Sequence, residues 1–96
     1  MIEYIYDVIR ASSGQPFTVA ATLANEDSTP ITTPCYLSIY DENEERIAVI
    51  EGTHKGEGAW QFDVSAELTE GRKGKHWYCI GNDGASLCFR KPLYLI

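Results

Sequence analysis

Apolar residues in this chain recur at every second position. The alternation is plain in residues 17–23, where every odd position is apolar, and in residues 60–64, where every even position is apolar. Successive side chains of a β-strand point to opposite faces, so this spacing places one face of each segment in a core and the other in solvent. The chain is therefore predicted to be built from strands.

Turn-forming residues divide the alternating pattern into seven short segments. The predicted strands are 2–9, 16–24, 35–40, 46–51, 59–65, 75–81 and 86–95, with a further short stretch at 31–33 left open. One helical turn is expected over Ser65 to Glu70, because Ser65 suits an N-cap and Gly71 can end the turn. Many short strands separated by turns indicate a β-sandwich or a small barrel.

A single hydrophobic core is expected. A chain of 96 residues is long enough for one core and too short for two, so residues 1–96 are predicted to form one domain. The residues predicted to face this core are Phe17, Val19, Leu23, Leu37, Ile39, Val49, Trp60, Phe62, Val64, Tyr78, Ile80, Leu87 and Phe89.

The sequence Asn82-Asp83-Gly84-Ala85 predicts a tight hairpin, because Asp-Gly suits the two positive-φ positions of a type I′ turn. With Asn82 opposite Ala85, counting outward places Cys79 opposite Cys88 and Trp77 opposite Arg90. These four side chains are predicted on the exposed face of the hairpin. The other face carries the apolar set Tyr78, Ile80, Leu87 and Phe89. Whether Cys79 and Cys88 are bridged stays open, with two adjacent thiols favoured.

The charge of the chain argues against a nucleic-acid partner. The formal net charge is −6 and the pI is about 4.7, and no basic face is visible that could release counterions from phosphates. The densest acidic run is only Asp41 to Glu45, which favours a soluble acidic surface over a mimic of DNA.

Two further features concern the compartment. Met1 to Arg10 contains no basic segment followed by an apolar stretch, and no later stretch approaches the roughly 20 apolar residues that span a bilayer. The three cysteines include no Cys-x-x-Cys motif, which argues against a disulfide framework or a structural zinc site. We therefore expect neither a membrane partner nor export, with reduced thiols in a cytoplasm.

The residues that could carry chemistry form no motif. His54 and His76 are expected at the surface or at an edge, without metal-ligand spacing. The run Asp41 to Glu45 lacks the glycine and glutamate positions of a calcium loop and is interpreted as an acidic hairpin turn. Gly52 to Gly58 lacks the lysine–hydroxyl end of a phosphate loop and is interpreted as a flexible turn. No catalytic residue, metal, cofactor or small-molecule substrate is predicted.

Several segments resemble the short immunoglobulin-like domains found in structural proteins of tailed phages. They are the run from Trp60 to Gly71, the strand Trp77-Tyr78-Cys79-Ile80, the opening Gly14-Gln15-Pro16-Phe17 and the turn Tyr40-Asp41-Glu42-Asn43. The corner from Arg72 to His76 is longer than those domains usually have. The resemblance implies an immunoglobulin-like antiparallel β-sandwich and a phage or prophage role as a small head, connector or tail component.

Two functions follow as hypotheses. The first is a non-enzymatic structural or interaction module that binds a protein partner or a second copy. The alternative is a small acidic regulator or inhibitor that binds a host protein. The strand order implied by the resemblance would gather a protein-binding patch from Tyr36, Tyr40, Trp77 and Arg90. The competing interpretation is that Trp77 and Arg90 form only a cross-strand stacking pair.

Overall fold

A computed structural model describes residues 8–24, 27–82, 85–86 and 90–96. Nine strands and one short helix lie in these ranges. Their bounds are β1 Ile9–Ala11, β2 Phe17–Thr22, β3 Cys35–Tyr40, β4 Arg46–Glu51, β5 Thr53–Gly56, β6 Ala59–Val64, α1 Ala66–Thr69, β7 Gly74–Asn82, β8 Ala85–Ser86 and β9 Lys91–Leu95.

The strands form two sheets. The large sheet has the order β1-β9-β7-β3-β4, with β8 also paired to β7, and the small sheet has the order β2-β6-β5. β1 runs parallel to β9, and the other pairs are antiparallel. The predicted all-β sandwich is confirmed, and so is the single helical turn before Gly71.

The core lies between the sheets and is made largely by alternate residues of β2, β3, β6, β7 and β9. Nine of the residues predicted to face it are buried: Val19, Leu23, Leu37, Ile39, Trp60, Phe62, Val64, Tyr78 and Ile80. Phe17 is partly buried and packs against this cluster. The core also takes in residues outside that set, among them Ala11, Ala21, Ile31, Cys35, Leu93 and Leu95. Leu87 and Phe89 lie outside the described residues.

The prediction that Val49 faces the core is wrong. Val49 pairs with Ser38 and is 51% exposed, whereas Ala48 and Ile50 pair with inward residues of β3. Four consecutive residues of β4, 47–50, are apolar, so alternation could not identify the inner face. The pairing also shifts at the start of β4: Ile39 lies opposite Ala48, but the next residue, Tyr40, lies opposite Arg46. One residue of β4 is therefore extra at this point, as in a β-bulge.

The segment from Gly52 to Gly58 is not the flexible turn that the sequence predicts. It contains β5 followed by a two-residue turn, Glu57-Gly58, in which both φ angles are positive at 51° and 79°. Those angles are typical of a type I′ hairpin. All four residues of β5 are exposed. Because the strand buries neither face, its sequence needs no alternating apolar residues, and periodicity could not reveal it. Residues 31–33 are not a strand.

The hairpin register is confirmed only near its turn. Asn82 lies opposite Ala85 as predicted, but Trp77 lies opposite Pro92 instead of Arg90. β8 has the register that the sequence predicts, whereas β9 takes a register two residues away that places Leu93 and Leu95 in the core. The predicted Cys79–Cys88 pair involves a residue outside the described part of the chain.

The α1 corner is fastened to the turn between β1 and β2. Thr69 is fully buried, and its Oγ1 accepts a hydrogen bond from the Gly14 N–H at 3.0 Å. The Thr69 carbonyl oxygen accepts a second bond from the Ser13 hydroxyl at 2.7 Å. These bonds hold the connection that carries the chain from the small sheet to β7.

Replacing Thr69 by valine should lower the free energy of unfolding by about 1–2 kcal/mol, because the shape is kept while the Gly14 N–H loses its acceptor. Urea denaturation followed by circular dichroism measures this difference. Thr22→Val, at an exposed position of β2, is the control and should change stability by less than about 0.5 kcal/mol. Equal midpoints for the two variants would show that the bond to Gly14 contributes nothing.

Candidate protein-binding face

The residues predicted to bind a partner lie on the outward side of the large sheet, which we call the outer face. Tyr36 and Tyr40 are alternate residues of β3, and Tyr40 lies directly opposite Trp77 of β7. Their neighbours Leu37, Ile39 and Tyr78 are buried on the opposite side. Tyr36 lies further along the same face, opposite Gly81 and Glu51. All three aromatic side chains are partly buried.

Cations lie over the rings of Tyr40 and Trp77 on the outer face. The Arg90 guanidinium lies over the Tyr40 ring, 4.1 Å from its centroid, and the Lys75 ammonium lies over the Trp77 ring at 4.3 Å. The predicted stacking of Arg90 on Trp77 is therefore replaced by two other pairs. Each such contact contributes about 0.5–1 kcal/mol at an exposed site. Together they hold the rings in fixed orientations.

A second contact orients Arg90. Its Nη1 donates to Oε1 of Glu44 at 3.0 Å. Glu44 lies in the turn between β3 and β4. The pair is exposed, so its free energy is at most about 1 kcal/mol. Asp41 shapes that turn, because its Oδ1 accepts backbone N–H groups of Asn43 and Glu45 at 2.8 and 2.9 Å. The predicted acidic hairpin turn thus positions Glu44 beside Arg90.

Cys79 also points to the outer face, as predicted, yet it is only 3% exposed. Its thiol donates to the Tyr40 hydroxyl at 3.7 Å. The tyrosine side chain therefore lies against the sulfur instead of projecting into solvent. This explains why strand parity alone was a poor guide to the exposure of Cys79.

Basic side chains outnumber Glu44 and Glu51 on the outer face, in a chain with a net charge of −6. Its outward positions include Arg10, which lies opposite Tyr94, and Arg46, which lies opposite Tyr40. The Arg10 guanidinium is 5.7 Å from the centroid of the Tyr94 ring. With the cations over Tyr40 and Trp77, the face carries four basic side chains, and sequence analysis did not anticipate this clustering. Their positions on separate strands leave no contiguous basic run to find.

The two histidines differ in environment. His76 was expected at the surface or at an edge, but it lies on β7 inside the large sheet and is 4% exposed, because it shares the inward parity of Tyr78. Its Nδ1 lies 3.1 Å from the Gly74 carbonyl oxygen. His54 is exposed and stacks on Trp60 with a centroid distance of 4.9 Å. His76 and Cys79 lie on opposite faces of β7. The described residues include no group of three or more His, Cys, Asp or Glu side chains arranged to hold a metal ion.

A shallow groove lies at the end of the small sheet. It is lined by Pro16, Phe17, Thr18, Asp63, Val64 and Ser65. Asp63 Oδ1 accepts hydrogen bonds from the Gln61 amide at 3.0 Å and the Thr18 hydroxyl at 2.8 Å, and these two bonds lower the pKa of the Asp63 carboxyl. Both donors belong to strands of the small sheet, and both bonds go to the same carboxylate oxygen of Asp63. No motif or spacing in the sequence pointed to this groove.

Comparison with solved structures identifies the fold. The crystal structure of the Lin-41 filamin domain superimposes with a TM-score of 0.71, covering 99% of this chain and 91% of that one at 9% identity. The fold is an immunoglobulin-like β-sandwich. No family model and no curated protein matches the sequence at a significant level. Within the described ranges, no helix is long and apolar enough to cross a membrane.

Two larger proteins contain a similar sandwich. The endo-β-1,4-mannanase from Thermotoga petrophila aligns with a TM-score of 0.65 at 16% identity, over 99% of this chain and 19% of the mannanase. The native conformation of Escherichia coli α2-macroglobulin aligns at 0.59 and 10% identity, over 97% of this chain and 6% of that protein. At these identities the likeness concerns the fold alone.

Proposed function

We propose that this chain is a non-enzymatic interaction module that binds a protein partner through its outer face. The observation that carries the proposal is the Tyr40–Trp77 pair, whose rings are held by Arg90 and Lys75. Tyrosine, tryptophan and arginine are the residue types enriched at binding hot spots. Rings already held in place lose little conformational entropy on binding, which favours affinity.

The charge of the face indicates what kind of partner fits. Four basic side chains outnumber Glu44 and Glu51 on this face, whereas the chain as a whole has a net charge of −6. The four are Arg10, Arg46, Lys75 and Arg90. A partner surface with carboxylates around an apolar centre would complement this face and would be repelled elsewhere. The partner is therefore an acidic protein surface.

We further propose that the module is a phage or prophage virion component of the head, connector or tail. The support is the sequence resemblance from Gly14 onward together with the immunoglobulin-like fold. The alternative is a small acidic regulator or inhibitor that binds a host protein in the cytoplasm. Mass spectrometry of gradient-purified phage particles, from a bacterial culture whose phage or prophage carries the gene, distinguishes the two roles. A fixed copy number per particle supports the first, and absence from particles with capture of a host protein supports the second.

The double substitution Tyr40→Ala with Trp77→Ala tests the outer face. Hot-spot truncations cost about 2 kcal/mol or more, so affinity for the captured partner should fall by about thirtyfold or more. The readout is affinity capture with quantitative mass spectrometry, followed by titration with the purified partner. The control is Thr18→Ala with Gln61→Ala, two side chains on the outward side of the small sheet. Unchanged affinity in a folded Tyr40/Trp77 variant would contradict the proposal.

A further inference from the structure

Within the described residues, β4 forms one edge of the large sheet and pairs only with β3. The Gly52 N–H donates to the Cys35 carbonyl at 2.8 Å, which makes Cys35 and Gly52 a hydrogen-bonded pair. Hydrogen-bonded pairs alternate along an antiparallel ladder, so Ile50 bonds to β3 in the same way. The N–H and C=O groups of Val49 and Glu51 consequently point away from β3, toward the open edge.

The composition of this edge does not protect it. Natural proteins blunt open edges with lysine, proline, bulges or charges that point inward. β5, an edge of the small sheet, has Lys55 and a register shift between His54 and Gly56. β4 also has a register shift, but it lies at the Arg46 end of the strand. From Ala48 to Glu51 the pairing is regular, and this part of the edge presents Val49, which is 51% exposed.

We propose that β4 pairs in antiparallel fashion with β4 of a second copy, around a two-fold axis at Val49. A two-fold axis perpendicular to the sheet keeps the outer faces of both copies on the same side. Two residues that lie opposite each other must therefore both point to the outer face or both point to the core. Val49 directs its N–H and C=O groups to the edge and points to the outer face, so it meets this condition when it lies opposite Val49 of the second copy. Ala48 then lies opposite Ile50 of the second copy, and both of these side chains pack against the core. The register shift before Ala48 places Arg46, and not Ile47, at the next outward position of β4.

Charge complementarity favours a second copy over another strand. Arg46 lies opposite Tyr40 and so belongs to the outer face, as does Glu51, which lies opposite Tyr36. In the proposed register Arg46 of each copy is adjacent to Glu51 of the other. The symmetry forms this ion pair twice, with the apolar residues of the strand between the two pairs. The strand Arg46–Glu51 is thus complementary to itself in charge and in apolar content.

The pairing extends the large sheet through both copies and joins their outer faces into one surface. A contact between two six-residue strands buries less area than the roughly 1,200 Å² of a stable interface. We therefore expect a weak, reversible dimer with a dissociation constant in the micromolar range or above. This inference rests on the β4 edge and does not depend on the partner of the outer face.

Sedimentation velocity of the full chain from about 10 μM to about 1 mM should show a monomer–dimer equilibrium, as expected for weak association. Val49→Lys should weaken the dimer about tenfold or more, because two ammonium groups meet at the axis. Val8→Lys is the matched control, since Val8 is 50% exposed and Val49 is 51% exposed. It should leave the equilibrium unchanged.

A charge exchange tests the register. Arg46→Glu or Glu51→Arg alone should weaken the dimer by a few-fold, because each places like charges side by side across the interface, and the double variant should restore it. A monomer at every concentration would overturn the proposal. Persistence of the dimer in Val49→Lys, its loss in Val8→Lys, or failure of the double variant to restore it would overturn it equally.

Discussion

Replacing Phe62 by alanine should lower the free energy of unfolding by about 3–5 kcal/mol. Phe62 is fully buried on β6, the central strand of the small sheet, where it lies opposite Val19. A Cβ built on Gly52 would fall 2.6 Å from the Phe62 ring, which shows how closely the backbone approaches it. Truncation would leave a cavity between the two sheets that this packing has little freedom to close.

The loss is a large part of the roughly 5–15 kcal/mol that stabilises a typical domain, so the variant should be poorly soluble or melt far below the parent. Equilibrium urea denaturation followed by tryptophan fluorescence measures it. Gln61→Ala, a partly exposed neighbour on the same strand, is the control and should change stability by no more than about 0.5 kcal/mol. A Phe62→Ala variant that unfolds at the parent midpoint would mean that the inner face of β6 has been misassigned.

The strands that could be predicted from the sequence are those with one apolar and one polar face. In β2 and β6 the buried residues fall on alternate positions, and there the inner face was predicted correctly. In β4 both faces carry apolar residues, so only pairing with β3 determines that Val49 is exposed. β5 is exposed throughout and carries no periodic signal. Periodicity therefore succeeds only where burial differs between the two faces.

The candidate site divides in the same way. That Tyr36, Tyr40 and Trp77 share a face followed from strand parity and from the strand order that the resemblance implied. The position of Arg90 over Tyr40 did not, because β9 takes the register that buries Leu93 and not the register counted outward from Asn82 and Ala85. Such contacts depend on pairings between residues far apart in the chain, which no local pattern encodes.

Gly58→Ala should lower the free energy of unfolding by about 2–4 kcal/mol, the sum of a backbone cost and a steric cost. Gly58 has φ +79°, and a Cβ there would lie 2.5 Å from the Leu23 carbonyl oxygen. That oxygen accepts the Ile31 N–H at 3.1 Å, while the Leu23 N–H donates to the Gly58 carbonyl at 2.8 Å. The clash is with backbone that is fixed by two hydrogen bonds, so it cannot be relieved by turning a side chain.

Gly71→Ala separates the two costs. Gly71 has φ +78°, within one degree of Gly58, but no atom lies within 4 Å of the position that a Cβ would take there, so only the backbone cost of about 1 kcal/mol should appear. Urea denaturation of both variants gives the steric cost as the difference between them. Equal losses would show that the chain around Leu23 yields to the methyl group. A larger loss at Gly58 would show that the β5–β6 turn is held against Leu23 by rigid backbone packing, which is why glycine is required at the second position of this turn.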